Sequence, residues 1–340
     1  MMDFFREKVR IIAEIGNNHL GSIELAHKSL DAAIDAGVDA VKFQLFVPEL
    51  LITAEQPVLS HVPNNTFATQ RERFGSMVLD RADFVSLADH AKERGVMFLC
   101  TPFDEQSADF LDPLVPVFKL ASGDSSHCQL IDHVVRKGKP VLASTGLCDQ
   151  KEVDAIVERL PGDRSMILHC VGAYPTPDEE ASLGLISFYK DRYNIPVGYS
   201  DHTPDTMAAL AAVAMGAVVI EKHFILDKTL PGGDRDLSLD GVGMAAMVNK
   251  IRRLELMLKG GPRHLLPSEV YGRENLRRSP YTKVQAKAGT LLGTDDIVFL
   301  RPELPAAFGV AEVLEARGLL LTEDVGPETI LGPNNCELEK

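Results

Sequence analysis

Short apolar runs and amphipathic stretches alternate along most of this chain. Eight runs, at residues 9–15, 40–44, 96–100, 117–121, 140–144, 166–171, 195–199 and 217–220, lack clean polar alternation, as strands buried on both faces do. Helical periodicity fills the gaps at 23–36, 81–94, 105–111, 130–137, 150–160, 185–193 and 206–215, and again at 243–258 after the last run. Helix start and stop signals frame several of them. Ser22 and Gly37 bracket the first, Asp80 and Gly95 the second, and Asp205 and Gly216 the seventh.

Strand–helix–strand alternation forces a parallel sheet, and eight such units in about 260 residues is the count of a (β/α)8 TIM barrel, an α/β fold. A doubly wound open sheet is the other architecture this pattern allows, but no GxGxxG follows the first run, where Gly16-Asn17-Asn18-His19-Leu20-Gly21 stands. Two segments break the rhythm. Residues 46–79 form a long connection after the second strand, of the length that is usually functional. Residues 261–276 are polar with Gly and Pro and read as a linker. The predicted domains are therefore a catalytic barrel over 1–260 and a small β-rich domain over 277–340, with short strands expected at 278–283, 297–300 and 319–321.

Composition narrows the class. The 340 residues are 45% hydrophobic and 25% charged, an ordinary globular mix. A net charge of −14 without a basic block argues against nucleic acid as a partner. No run approaches about 18 apolar residues and the first residues lack a signal-peptide pattern, so neither a membrane span nor secretion is expected. Five scattered cysteines with no CxxC suit a reducing, cytoplasmic setting.

In a parallel barrel, ligands bind where the strands end. Here every run ends in polar chemistry: Glu14; Lys42 and Gln44; Thr101; Lys119, Ser122 and Asp124; Ser144; His169 and Tyr174; Ser200 and His202; Glu221 and His223. Lys42 and Lys119 with the hydroxyls of Thr101, Ser122 and Ser144 make a donor-rich site suited to a phosphate. His202 and His223 can share a divalent metal ion that acts as a Lewis acid. Glu14, Asp124 and Glu221 are carboxylates for proton transfer or water orientation. His169, inside an apolar run, reads as structural. The composite suits a phosphorylated small molecule meeting a carbonyl compound.

The motifs IIAEIGNNH at 11–19, VKFQ at 41–44, TPF at 101–103, FKLASG at 118–123, STG at 144–146, GYSDHT at 198–203, IEKHF at 220–224 and RRS at 277–279 resemble those of the sialic acid synthases. That family includes N-acetylneuraminate, legionaminate and pseudaminate synthases and spore-coat polysaccharide relatives. The resemblance implies a barrel followed by an antifreeze-like (SAF) domain in a domain-swapped homodimer. It implies condensation of phosphoenolpyruvate with an N-acetylated amino sugar to a nine-carbon 3-deoxy-2-keto acid, with loss of phosphate by C–O cleavage. It implies that Lys42, Thr101, Lys119, Ser122 and Ser144 bind phosphoenolpyruvate. His202 and His223 are implied to hold the metal, manganese first, with magnesium or cobalt as alternatives. Glu14 and Asp124 are implied to serve catalysis, and Gln44, Tyr174, Ser200, Glu221, Asp234 and Arg301 to bind the sugar. The chain departs from the family pattern at Gly172 (commonly Asn or Ser), Asp124 (Glu), Gly233 (Pro) and Glu303 (Gly).

Three other readings use the same residues differently. A related condensing enzyme would take a phosphorylated aldose, and would need a further cationic pocket. A Schiff-base aldolase would use Lys42 or Lys119 and leave the histidines idle. A sugar- or surface-binding protein would use the small domain, with the barrel as scaffold.

Overall fold

The computed structural model describes residues 8–59 and 66–340. Eight parallel strands, β1 (Arg10–Gly16), β2 (Ala40–Leu45), β3 (Met97–Pro102), β4 (Phe118–Leu120), β5 (Val141–Ser144), β6 (Ser165–Cys170), β7 (Val197–Asp201) and β8 (Val219–His223), form one sheet in the order β3-β2-β1-β8-β7-β6-β5-β4. The end strands β3 and β4 lie against each other and close the barrel. Helices follow the strands: α1 (Ile23–Asp35); α2 (Pro48–Leu51), α3 (Gln70–Gly75) and α4 (Arg81–Glu93); α5 (Glu105–Leu111); α6 (Cys128–Arg136); α7 (Gln150–Arg159); α8 (Gly184–Tyr193); α9 (Met207–Ala214); α10 (Gly241–Met257). The (β/α)8 barrel expected from the sequence is the fold observed.

Local signals act where the sequence places them. The Ser22 side chain accepts from Leu25 N at the start of α1, and Asp83 Oδ2 accepts from Asp80 N at 2.9 Å at the start of α4. Gly37 and Gly95, just past α1 and α4, have φ of 88° and 74°, which a side chain would resist.

Strand periodicity sorts the barrel's interior into layers. Ile12, Ala40, Leu99, Val117, Leu142, Met166, Leu168 and Val219 pack as one apolar plug inside the barrel. Alternate residues such as Ile11, Val41, Phe98, Phe118, Val141, Ile167 and Ile220 face outward into the larger core beneath the helices. Both layers are dry, so the strands read as continuous apolar runs.

Three expectations are corrected. The runs at 195–199 and 217–220 underestimate their strands, because β7 continues to Asp201 and β8 to His223. Polar residues ended the apolar runs but not the ladder: Asp201 pairs in register with Lys222. Their side chains, both fully buried, form an ion pair at 3.0 Å on the outer face. The connection at 46–79 is not wholly irregular, since it carries α2 and α3; its residues 60–65 lie outside the described residues. In the segment expected as a linker, a short 3-10 turn (Pro267–Glu269) leads into α11 (Val270–Leu276).

The chain divides into two compact units at Lys259/Gly260. The second holds α11, α12 (Val310–Glu315) and β9 (Ser279–Thr282), β10 (Leu291–Leu292), β11 (Ile297–Leu300), β12 (Gly318–Leu321) and β13 (Cys336–Glu339). These strands form an antiparallel β10-β12-β13 sheet and a β11-β9 pair around Leu292, Ile297, Val313, Leu319, Leu321 and Leu331.

Candidate active site

Two residues beyond the last apolar plug position of seven strands, the inward face turns polar. Ile12 is followed by Glu14, Ala40 by Lys42, Leu99 by Thr101, Val117 by Lys119, Leu142 by Ser144, Leu168 by Cys170 and Val219 by Glu221. The step of two keeps the same face, so these side chains form a layer directly above the plug, at the carboxyl ends of the strands. All seven are buried and line one cavity of about 350 Å³.

Their hydrogen bonds make a continuous chain. Gln44 Nε2 donates to Glu14 Oε1 at 2.6 Å, and Lys42 Nζ lies 2.8 Å from Glu14 Oε2. Lys42 also donates to Thr101 Oγ1 at 3.2 Å and stands 3.6 Å from Glu221 Oε2. Lys119 Nζ is 3.7 Å from Glu221 Oε1 and donates to Ser144 Oγ at 2.8 Å. Ser200 Oγ donates to Glu221 Oε1 at 2.9 Å.

Burial and pairing oppose each other at each charge. Burial raises the pKa of Glu14, with Lys42 only partly restraining it. Burial also acts on Glu221, but Lys119 and Lys42 outweigh it and hold that carboxyl below the usual range. Lys42 is desolvated yet held above the ordinary lysine value by its two carboxylates, whereas desolvation wins at Lys119 and lowers it. Glu14 is therefore the member that gains a proton most readily, and Lys119 the one that loses its charge most readily.

The imidazoles of His202 and His223 share this cavity, with ring centroids 5.3 Å apart. His202 Nδ1 donates to the Val171 carbonyl at 2.7 Å, which leaves Nε2 with its lone pair. Burial, then the charge of His202, push His223 well below the ordinary histidine value, so it is neutral. Burial opposes the charge of His202, but Cys170 beside it outweighs burial and raises its pKa, so a metal ion there would displace a proton from that ring. The two rings, facing one cavity, fit a divalent ion with open coordination positions. Among the described residues, no group of three or more His, Cys, Asp or Glu side chains is arranged to hold a metal. Tyr174 stacks on His202 with centroids 4.2 Å apart, and Asp234 Oδ2 is 3.5 Å from His223 Nδ1.

Of the residues expected from sequence, Glu14, Lys42, Gln44, Thr101, Lys119, Ser122, Ser144, Tyr174, Ser200, His202, Glu221, His223 and Asp234 all line this cavity. Asp124 does not. It follows Gly123 in a 3-10 turn, its Oδ2 is buried without a hydrogen-bond partner, and burial raises its pKa to about 6. Arg301 belongs to the second unit. His169 Nε2 donates to the Ala181 carbonyl at 2.9 Å and its ring packs against Tyr189 and Tyr199, a structural setting.

Sequence reasoning missed a second set of lining residues. Gln70, Arg73, Phe74 and Met77 share one face in and just after α3, and Leu147 follows the Ser144-Thr145-Gly146 turn. The i, i+3, i+4, i+7 spacing from Gln70 was the available signal.

The model of the NeuB family matches residues 29–263. The chain belongs to the NeuB family. It is 36% identical over 302 residues to N,N'-diacetyllegionaminic acid synthase of Legionella pneumophila, covering 86% of this chain and 85% of that one. It is 33% identical over 317 residues to N-acetylneuraminate-9-phosphate synthase of Mus musculus, covering 91% and 87%. The crystal structure of an N-acetylneuraminic acid synthetase from Leptospira borgpetersenii superposes with a TM-score of 0.70 at 30% identity, covering 78% of this chain and 90% of that one. This NeuB family chain is accordingly an enzyme of the sialic acid synthase type. Among the described residues, no helix is long and apolar enough to cross a membrane.

Proposed function

We propose that this NeuB family enzyme condenses phosphoenolpyruvate with an N-acetylated amino-sugar aldose and water, giving a nine-carbon 3-deoxy-2-keto acid and phosphate. One observation carries the reading. Two buried ammonium groups, 3.6 and 3.7 Å from the two oxygens of Glu221, share a cavity with a pair of imidazoles whose ring centroids are 5.3 Å apart. An anion site and a metal-ligand pair thus stand within one small chamber.

Lys42, Lys119, Thr101, Ser122 and Ser144 bind the phosphoenolpyruvate anion, which displaces some of the lysine–glutamate pairing. His202 and His223 would hold a divalent ion, manganese, magnesium or cobalt, which would supply Lewis acidity for a carbonyl substrate. The enol carbon attacks the aldose aldehyde and forms the new C–C bond. Water adds at the former enol C2, and Glu14, whose raised pKa suits proton exchange, takes up or returns the proton. Asp124, with a pKa of about 6, is the second candidate for proton exchange; it does not line the cavity itself but follows Ser122 and Gly123, which do. Collapse of the tetrahedral carbon breaks its C–O bond and releases phosphate, stabilised by the two lysines. Gln44, Tyr174, Ser200, Glu221 and Asp234 orient the aldose. The protein works in the cytoplasm as a domain-swapped homodimer, and Arg301 of one protomer's antifreeze-like domain reaches the acyl group in the other's barrel.

The test is phosphate release from phosphoenolpyruvate with a panel of N-acetylated aldoses in 18O-water, with product masses. The expected label appears in the keto acid and not in phosphate. Label in the phosphate, or release of phosphate without a C–C-bonded product, overturns the reading.

A further inference from the structure

Two glycines in the cavity wall make room for side chains that come from elsewhere. A Cβ on Gly172 would stand 2.3 Å from Leu147 Cδ2 and 2.6 Å from its Cγ. Leu147 itself has φ of 64°, a left-handed conformation that a leucine rarely adopts. Its side chain is 71% exposed, although it lines a cavity whose floor is charged. Burial gain therefore does not explain why a strained leucine stands there.

The second case is Gly233. A Cβ there would stand 2.5 Å from Arg73 Nη2, so the guanidinium lies against bare backbone. Arg73 is partly desolvated and faces Asp234. One helical turn before it, Gln70 is only 4% exposed, and its Oε1 has no hydrogen-bond partner. An unpaired buried carbonyl is costly, and both residues line the cavity. An acceptor without a donor, at a wall of this kind, points to a donor supplied by a ligand.

We infer that Leu147, Arg73 and Gln70 determine which aldose is used, and that they select an uncharged, acylated aldose over its phosphate ester. This rests on the proposed condensation. Leu147 covers an apolar group, an acyl methyl or a deoxy carbon. Arg73 donates to an acyl carbonyl or hydroxyl, and Gln70 accepts from a hydroxyl or amide N–H. A phosphate ester would be poorly received. Phosphate sites gather several uncommitted cationic donors, whereas the Arg73 charge is already opposed by Asp234, and Lys42 and Lys119 are committed to the anion site.

The experiment measures kcat/KM with phosphoenolpyruvate and three aldoses: an N-acetylhexosamine, its 6-phosphate and a 2,4-diacetamido-6-deoxyhexose. It uses the full-length enzyme and Leu147→Ala, Arg73→Met and Gly172→Ala. The unsubstituted enzyme should prefer an uncharged aldose to the 6-phosphate by about 100-fold or more. Leu147→Ala should lower kcat/KM for the preferred aldose by about 10-fold, the worth of a few carbons in an apolar contact, and leave KM for phosphoenolpyruvate within about twofold. Gly172→Ala, which displaces Leu147, should shift preference in the same direction, and Arg73→Met should narrow the gap among aldoses. Because Leu147 is exposed, its replacement leaves the fold intact. Preference for the phosphate ester, or unchanged ratios among aldoses in all three variants, overturns the inference and spares the condensation. Consumption of none of the three aldoses overturns the condensation and this inference with it.

Discussion

Replacing Lys42 by methionine tests the charge layer most directly. Its ammonium stands 2.8 Å from Glu14 and 3.6 Å from Glu221, with all three side chains at least 95% buried. At an effective dielectric of about 20, attractions at those distances are each worth about 5 kcal/mol. Desolvation of the ammonium cancels several kcal/mol of that, so the net loss on removing one partner should be about 3–5 kcal/mol. The loss should also depend on pH. Glu14 already titrates above its ordinary value of 4.5, and Lys42 is what restrains it. In Lys42→Met its folded pKa rises further, so the folded state holds a proton that the unfolded state releases above about 4.5. That proton-linked stability is full below the unfolded value and fades as pH climbs through the folded one. Relative to the unsubstituted enzyme, the deficit should therefore widen by up to about 1.4 kcal/mol per pH unit, wherever the unsubstituted Glu14 is ionised and the variant's is protonated. Urea unfolding followed by circular dichroism from pH 5.5 to 8.5 measures it. A deficit flat across that range, or under about 1 kcal/mol throughout, refutes the proposed electrostatics.

A chelator should abolish turnover, and added manganese or magnesium should restore it. His223→Ala should weaken manganese binding, read by electron paramagnetic resonance, by at least about 10-fold; full activity in metal-free enzyme defeats this. Lys119→Ala should raise KM for phosphoenolpyruvate well above any change in KM for the aldose, and the reverse ordering would remove Lys119 from the anion site. Arg301→Ala should raise KM for the aldose about 10-fold at constant phosphoenolpyruvate KM, as loss of a charged hydrogen bond does; an unchanged aldose KM excludes it. Burial holds His19 neutral, with a pKa of about 4 against an ordinary 6.5, so its contribution is intact above 6.5 and is lost as pH falls toward 4. The pH dependence of unfolding between pH 7 and 5 should be shallower in His19→Gln by about 2 kcal/mol, and equal slopes would place the histidine in water.

The barrel was legible in sequence because the strands read as apolar runs buried on both faces and several of the helices carry their own punctuation. Ser22, Asp80, Gly37 and Gly95 mark helix ends by backbone chemistry that does not depend on the rest of the fold. Strand ends were harder. At β7 and β8 the apolar run stops while pairing continues, because Asp201 and Lys222 neutralise each other on the outer face as Ser200 and Glu221 turn inward. A rule based on hydrophobicity sees an end there, and a rule based on register does not. The short strands β10 and β13 went unread for a related reason: Leu291–Leu292 is two residues long, and Cys336–Glu339 alternates apolar with acid.

The active site divides in the same way. Its floor is encoded by periodicity, since an apolar residue and a polar one two places on, repeated around the barrel, can only stack as plug and charge layer. Residues such as Glu14, Lys42, Lys119 and Glu221 follow from that spacing without any tertiary information. Its upper wall is encoded by shape. Gln70 and Arg73 sit on a six-residue helix inside a long connection. Leu147 enters only because Gly172 lacks a side chain, and Arg73 only because Gly233 does. Each of those pairings joins positions far apart in sequence, through a volume that no residue type announces. The floor fixes the chemistry and so must keep its charges in register. The wall fixes the substrate and can be rebuilt by exchanging a side chain for a glycine and filling the gap from another loop, leaving the catalytic layer untouched.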